Sequence, residues 1–298
     1  MITADGLVYK HHLSQPEFMH SIRFASPSDA TRRFVRFYAQ RQSKLGSSVL
    51  IHPIPARSAQ MLNFEFGDSI LVRNVSDGSL QKAEGAALIG VQSCRRVELL
   101  IQGQVAGFTA FLQPSALNLM FGIPATTITN SDCEASGLLG FRIRELRERL
   151  GNCRSFQQRI LTAEEFFSHI SSKSASLDPA ELVANEIVRL KGVCRMDALA
   201  QQTGLSNSTF QRRFQQAVGL APKVYARIVR FESAAQRKAS SPHLTWTEIA
   251  CECGYYDQMH MIHDFEQLSA ETPSGLLFHL TTVFQPGLLS ADKTHLVL

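Results

Sequence analysis

Ser208, Thr209, Arg212 and Gln215 recur at helical spacing in the stretch GLSNSTFQRRFQQAVGLAP (Gly204 to Pro222), with Gln216 beside them and Gln211 on the flank. At about 100° per residue, a helix sets these side chains opposite Phe210, Phe214 and Val218, which form an apolar stripe. Arginine can pair with guanine, glutamine with adenine, and serine with either base edge. An outer face of this composition, nearly free of Glu and Lys, suits the reading of duplex DNA.

One polar helix face alone is common. The stronger signal is a repeat: LAQQTGLSNSTFQRRFQQAVGLAP is echoed by IACECGYYDQMHMIHDFEQLSAETP. Leu199, Ala200 and Gly204 match Ile249, Ala250 and Gly254. After one inserted residue at the turn, Phe210, Phe214 and Pro222 match Met261, Phe265 and Pro273. Each copy reads as helix, glycine turn, helix, then a proline opening the next helix, which is the helix-turn-helix plan. The alanine lets the second helix cross closely, and the glycine ends the first helix in a left-handed conformation. Leu205 or Tyr255 fills the corner.

Between the copies, APKVYARIVRFESAAQRK predicts a helix with an apolar stripe of Val224, Ile228, Phe231 and Ala235. Lys223, Arg227, Arg230 and Arg237 follow one flank. This helix is expected to fix the separation of the two units. Its basic flank, with Arg213, is expected to lie on phosphates.

The elements that must carry these units form two halves. Up to about residue 172 the chain is β-rich: SVLIHPIP (Ser48 to Pro55), AALIGVQ (Ala86 to Gln92), RVELLIQ (Arg96 to Gln102) and VAGFTAFLQ (Val105 to Gln113) read as strands. Helices are expected over Pro114 to Met120, over GFRIRELRERLGN with Phe141, Leu146 and Leu150 inward, and over SFQQRILTAEEFFSHI with Phe156, Ile160, Leu161, Phe166 and Phe167 inward. A serine-rich stretch, with residues 173–179 as the linker, leads to a helix start at Asp178, Pro179 and Glu181. The predicted class is α+β with two domains: a β-rich effector or dimerisation domain over 1–172, an all-helical double helix-turn-helix domain over 180–284, and a tail over 285–298.

The double motif, its connecting basic helix and the closing TPSGLL (Thr272 to Leu277) resemble the DNA-binding domain of the AraC/XylS family of bacterial transcription regulators. The resemblance spans about Asp178 to Leu280. The strings GVQ (Gly90 to Gln92) and LQPSALNLMFGIP (Leu112 to Pro124) extend a weaker likeness to the sensor domain of some members. The resemblance implies that the second helix of each unit enters the major groove. The base-reading residues it implies are Ser208, Gln211 and Arg212 in the first unit, and Gln258, Met259, Ile262 and His263 in the second. The implied partners are double-stranded DNA, a second copy of the chain in a homodimer, a small-molecule effector and RNA polymerase. No cofactor and no metal are expected, and the expected location is the cytoplasm, on the nucleoid.

The two units differ in charge. From Ala180 to Ser240 there are ten basic and four acidic residues; from Ser241 to Gln285 there are six acidic and none basic. His263 stands where the family resemblance leads one to expect Arg. The first unit is therefore expected to dominate affinity, with the second contributing little, or meeting thymine methyls through Met259 and Ile262. Protonation of His260 and His263 is expected to relieve the repulsion as pH falls through the ordinary histidine range.

Net charge of +4 and six scattered cysteines suit a globular protein with reduced thiols. The Cys251–Cys253 spacing does not suit zinc. The sequence carries neither H-E-x-x-H nor G-x-S-x-G, so no catalysis is expected. Two alternatives compete: a regulator that has lost DNA and binds protein, and a redox or alkyl sensor through Cys94, which has Arg95 and Arg96 as electropositive neighbours.

Overall fold

The computed structural model describes residues 19–171 and 178–277; the residues of the expected linker before Asp178, and the tail, lie outside them. Ten strands come first: β1 (Met19–Ala25), β2 (Val35–Lys44), β3 (Leu50–Ile54), β4 (Met61–Gly67), β5 (Leu71–Asn74), β6 (Leu80–Lys82), β7 (Ala86–Ile89), β8 (Val97–Ile101), β9 (Gln104–Leu112) and, after α1 (Ala116–Phe121), β10 (Asp132–Glu134). Three helices close this half: α2 (Ala135–Leu139), α3 (Phe141–Asn152) and α4 (Phe156–Ser171). The strands form two antiparallel sheets, β1-β2-β9-β4-β7-β10 and β3-β8-β5-β6.

The alternation of side chains along a strand assigns the two faces of the larger sheet. Tyr38, Leu62, Phe64, Leu88, Phe108 and Ala110 point to one side and share a core with Ile143, Leu146 and Leu150 of α3 and Ile160, Ala163 and Phe167 of α4. Odd-numbered neighbours such as Arg41, Asn63, Glu65 and Thr109 point to the other side, toward the smaller sheet. Glu164 of α4 fastens the helical layer by accepting hydrogen bonds from the Tyr38 hydroxyl (2.8 Å) and the Thr31 hydroxyl (2.6 Å).

The inward stripes of two helices differ from expectation. Phe141 is 67% exposed and Leu161 60% exposed, while Ile143 and Ala163 are buried. In each helix the buried set is i, i+3, i+7, so the stripe turns about the axis and leaves the first or flanking apolar residue outside.

The carboxyl-terminal half is helical: α5 (Pro179–Arg189), α6 (Met196–Gln202), α7 (Asn207–Val218), α8 (Pro222–Ser240), α9 (Trp246–Glu252) and α10 (Gln258–Ser269). The capping box at Asp178 forms as expected: its side chain accepts from the Ala180 amide, and Glu181 accepts from the Asp178 amide at 2.9 Å. One core gathers Ala200, Phe210, Phe214 and Val218 with Ala250, Met261, Phe265 and Leu268 around Ile228 and Phe231 of α8. On α8 the stripe again shifts: Val224 is 39% exposed and Tyr225 is buried in its place.

The halves pack on one another. Ala56 and Val91 of the β half lie in the helical core. Thr129 donates to the Gly219 carbonyl (3.0 Å), and Arg95 pairs with Glu271 (3.3 Å). Gly219 has a positive φ of 98°, and an added Cβ there would lie 2.4 Å from the Thr129 hydroxyl, so the contact requires glycine.

Candidate nucleic-acid interface and inner cavity

The two repeats fold as matched bihelical units. Helices α6 and α9 have seven residues each and start fifty positions apart; α7 and α10 have twelve each and start fifty-one apart. Gly204 and Gly254 take φ of 67° and 68°, the left-handed turn the sequence requires. Ser206 caps α7 through its hydroxyl, and Asp257 caps α10, accepting from the His260 amide at 2.7 Å.

On α7, Ser208, Gln211, Arg212 and Gln215 are all exposed, opposite the buried Phe210, Phe214 and Val218. Thr209 is half-buried, and its hydroxyl accepts from Ser206 at 2.9 Å, so it belongs to the cap as well as to the outer face. On α10, Met259 is 69% exposed and His263 exposed. Ile262 and Gln258 are half-buried, and Gln258 accepts from Thr247 at 2.6 Å. The His263 ring nitrogen lies 2.6 Å from the Gln267 amide nitrogen, and the His260 ring stands edge-on to Tyr255.

The expected phosphate-binding flank divides. Lys223 is exposed. Arg213 pairs with Asp178 at 2.8 Å while remaining on the surface. Arg227 and Arg230 instead turn to Asp264 of α10, at 2.6 and 3.3 Å, and the Arg230 guanidinium lies 4.3 Å above the Tyr255 ring. Asp264 itself is 1% exposed. Of the other acids of the second unit two more pair with arginines and one closes a cap, while Asp257 and Glu266 are exposed without an ion pair among the described residues. Glu252 pairs with Arg237 (2.5 Å), Glu248 closes a capping box with Thr245, and Glu271 pairs with Arg95. The charge difference seen along the sequence is thus partly neutralised by arginines of α8 and of the β half, while Glu266 remains exposed on the outer face of α10.

A second feature was not legible in the sequence. A cavity of about 190 Å³ lies between the two sheets. Its wall on the larger sheet carries a chain of polar contacts. Arg41 donates to Glu65 (2.7 Å), Asn63 donates to the same Glu65 oxygen (2.9 Å), and Thr109 donates to Asn63 (2.6 Å). The Arg41 Nε and the second Glu65 oxygen are buried without a hydrogen-bond partner among the described residues. Apolar walls are supplied by Ile54, Met61, Val97, Leu99 and Phe111.

Arg57 also lines this cavity and is 5% exposed. Its guanidinium donates over long distances to the carbonyls of Ala59 (3.3 Å) and Gly90 (3.5 Å). No carboxylate lies within 4.0 Å of it among the described residues. Burial lowers its pKa to about 10, partly opposed by the charges of Glu232 and Asp132. The only signal for this site would have been charged residues at period two inside strand-like segments.

Cys94 is partly buried beside Arg95, whose guanidinium pairs with Glu98 and Glu271. No helix among the described residues is long and apolar enough to cross a membrane.

Residues 199–277 match the helix-turn-helix domain family. Among solved structures, an apo form of ToxT from Vibrio cholerae is 14% identical, covering 86% of this chain and all of that one, with a TM-score of 0.49. The DNA-binding domain of AdpA, a global transcriptional factor solved with a target DNA, is 27% identical over 34% of this chain and 89% of that one, with a TM-score of 0.30. The xylose-binding transcription activator xylR is 24% identical over 36% of this chain and 29% of that one, with a TM-score of 0.29. No curated protein matches the chain.

Proposed function

We propose, from the premise that residues 199–277 are a helix-turn-helix domain of the AraC type, that the protein is a sequence-specific DNA-binding transcription regulator. Its two reading helices occupy successive major-groove turns about 10 base pairs apart. The observation that carries this reading is the exposed face of α7: Ser208, Gln211, Arg212 and Gln215 stand outward on a helix whose opposite face is fully buried. Lys223 and Arg213 supply phosphate contacts, and Arg227 and Arg230 join them only by sharing their pairs with Asp264. The first unit dominates affinity, because the outer face of α10 offers Gln258, Met259, Ile262 and His263 without a lysine or arginine.

The β half takes a small-molecule effector in the cavity between its sheets, and the full regulator works as a homodimer that acts on RNA polymerase. It catalyses no reaction. Selection of bound fragments from random duplex DNA, followed by titration of the full chain, tests this. Arg212→Ala is expected to cost about 1–3 kcal/mol of discrimination at one base pair. The combined Gln258→Ala and His263→Ala change is expected to cost less. If the double change costs as much as Arg212→Ala, first-unit dominance is wrong; if no duplex is retained at low salt by the folded chain, the DNA-reading function is wrong.

A further inference from the structure

The turns of the two bihelical units differ by one residue. Between the turn glycine and the cap of the reading helix, the first unit has Leu205 alone, while the second has Tyr255 and Tyr256. Leu205 and Tyr255 are counterparts, since both pack into the helical core. Tyr256 is the extra residue, and it is 93% exposed. Its hydroxyl has no hydrogen-bond partner among the described residues.

The residues on either side hold the backbone of Tyr256 in place. The Tyr255 amide donates to the Ala250 carbonyl (2.9 Å), its ring is buried, and the Arg230 guanidinium lies 4.3 Å from the ring centre. The Asp257 carboxylate accepts from the His260 amide (2.7 Å) and fixes the start of α10. A large aromatic side chain is thus set at a defined place, with almost none of its surface used by its own chain. One exposed aromatic by itself is ordinary; its place gives it meaning.

In a docked helix-turn-helix unit the first helix crosses the sugar-phosphate backbone and the second enters the major groove. The turn that joins them stands at the rim of the groove. In the second unit that turn lies between α9 and α10, and Tyr256 is its outward side chain. The rim presents phosphate oxygens, which accept hydrogen bonds from tyrosine as well as from cations. The second unit needs such a donor. It has no lysine or arginine from Ser241 to Gln285, and its exposed Asp257 and Glu266 carry the same sign of charge as phosphate. Its neighbouring neutral donors are engaged within the protein: Thr247 donates to Gln258, Trp246 donates to Ser274, and His263 lies against Gln267.

We propose that Tyr256 is the phosphate anchor of the second unit, its hydroxyl donating to one phosphate oxygen at the groove rim. This rests on the DNA-reading function above and adds how the cation-poor unit holds its duplex. A neutral donor has two consequences that a lysine does not share. It displaces no condensed counterion, so its contribution persists as salt rises. Like any phosphate contact it carries no base information, so it strengthens every sequence alike. The first unit grips by charge and loosens with salt, while the second keeps its uncharged contact.

The experiment titrates the full chain against a selected duplex site over a series of salt concentrations. It compares wild type, Tyr256→Phe and Tyr256→Lys, with Lys223→Ala as the charged reference. Tyr256→Phe is expected to weaken binding about fivefold, the worth of one hydrogen bond, with the slope of log affinity against log salt unchanged. The same loss should appear on duplexes whose base pairs under α10 are altered. Tyr256→Lys sets a cation at the rim and should steepen the slope by about 0.9. Phosphates are then replaced one at a time by uncharged methylphosphonates. At one position the replacement is expected to cost wild type about fivefold more than it costs Tyr256→Phe.

Equal affinities of wild type and Tyr256→Phe overturn the anchor. So does a loss that varies with the base pair, or a phosphate scan to which both proteins respond alike. An unchanged slope in Tyr256→Lys takes the residue away from the rim and overturns it too. Because Tyr256 is exposed, thermal unfolding is expected to be the same in both variants; should one unfold early, the readout of the other decides. A wild-type chain that binds no duplex at all fails the parent function instead, and this is seen before any variant is compared.

Discussion

The two bihelical units share helix lengths, turn glycines and buried positions, yet they place their charges differently. The first unit sends Arg212 outward from α7, where it forms no ion pair among the described residues. The second turns Asp264 inward from α10, where it draws Arg227 and Arg230 of the connector away from solvent. A count of charges along the chain suggests a repulsive second unit. The fold shows that its best-placed carboxylate instead ties α10 to α8. What distinguishes the outer faces is therefore that α7 carries Arg212, whereas α10 carries no cation and keeps the exposed Glu266 at helical spacing from Met259 and His263.

The largest expected effect tests this internal tie. Asp264→Ala leaves two arginines facing a buried, vacated position, and breaking a buried pair from one side costs about 3–5 kcal/mol. Arg227 and Arg230 keep partial access to solvent, with side chains 35% and 20% exposed, so the lower end, about 3 kcal/mol, is expected. Urea unfolding measures it. A loss below about 1 kcal/mol, the value of an exposed pair, would return Asp264 to the role of a surface charge and restore the repulsive picture.

A smaller effect compares the two turns. Gly204 and Gly254 share the same backbone conformation, so alanine at either costs about 1–2 kcal/mol of left-handed strain. At Gly204 nothing lies within 4 Å of an added Cβ; at Gly254 the Val193 methyl lies 2.7 Å away. Gly254→Ala is therefore expected to exceed Gly204→Ala by about 1 kcal/mol or more, an overpacking cost. Equal losses in paired unfolding curves would mean that Val193 moves aside freely and that the second turn is no tighter than the first.

The units were legible in the sequence because single positions decide them: Gly204, Gly254, Ala200 and Ala250 have few substitutes at a close turn or crossing. Much of the β half was not. Strand β2, VRFYAQRQSK, and strand β4, MLNFEFG, carry Arg41, Asn63 and Glu65 on a face that the usual rule assigns to water. That face looks into the cavity instead, and a polar wall inside a sheet sandwich has the same pattern as a solvated one. The segment ARSAQ, residues 56–60, follows the strand expected over Ser48 to Pro55 and carries no signal of its own. Arg57 lines the cavity while Ala56, Ser58 and Gln60 donate to Leu268, Glu232 and Val218 of the helical half, an alternation that exists only once both halves are in place. Phe141, Leu161 and Val224 show the same limit on helices, where periodicity finds a stripe but leaves its rotation uncertain by one residue.

The smallest effect concerns the connector, where the first unit keeps one exposed cation that the second lacks. Lys223 sits in the first turn of α8, exposed, next to the end of α7. A lysine that neutralises one phosphate releases about 0.9 of a counterion on B-DNA, so Lys223→Ala is expected to reduce the slope of log affinity against log salt by about that amount. It should weaken all sequences alike, because a phosphate contact carries no base information. Arg227→Ala is expected to change the slope less, since its guanidinium is already engaged by Asp264. Were Arg227→Ala to reduce the slope as much as Lys223→Ala, the pair with Asp264 would have to open on DNA, and the second unit would gain from the connector the cation that its own reading helix lacks.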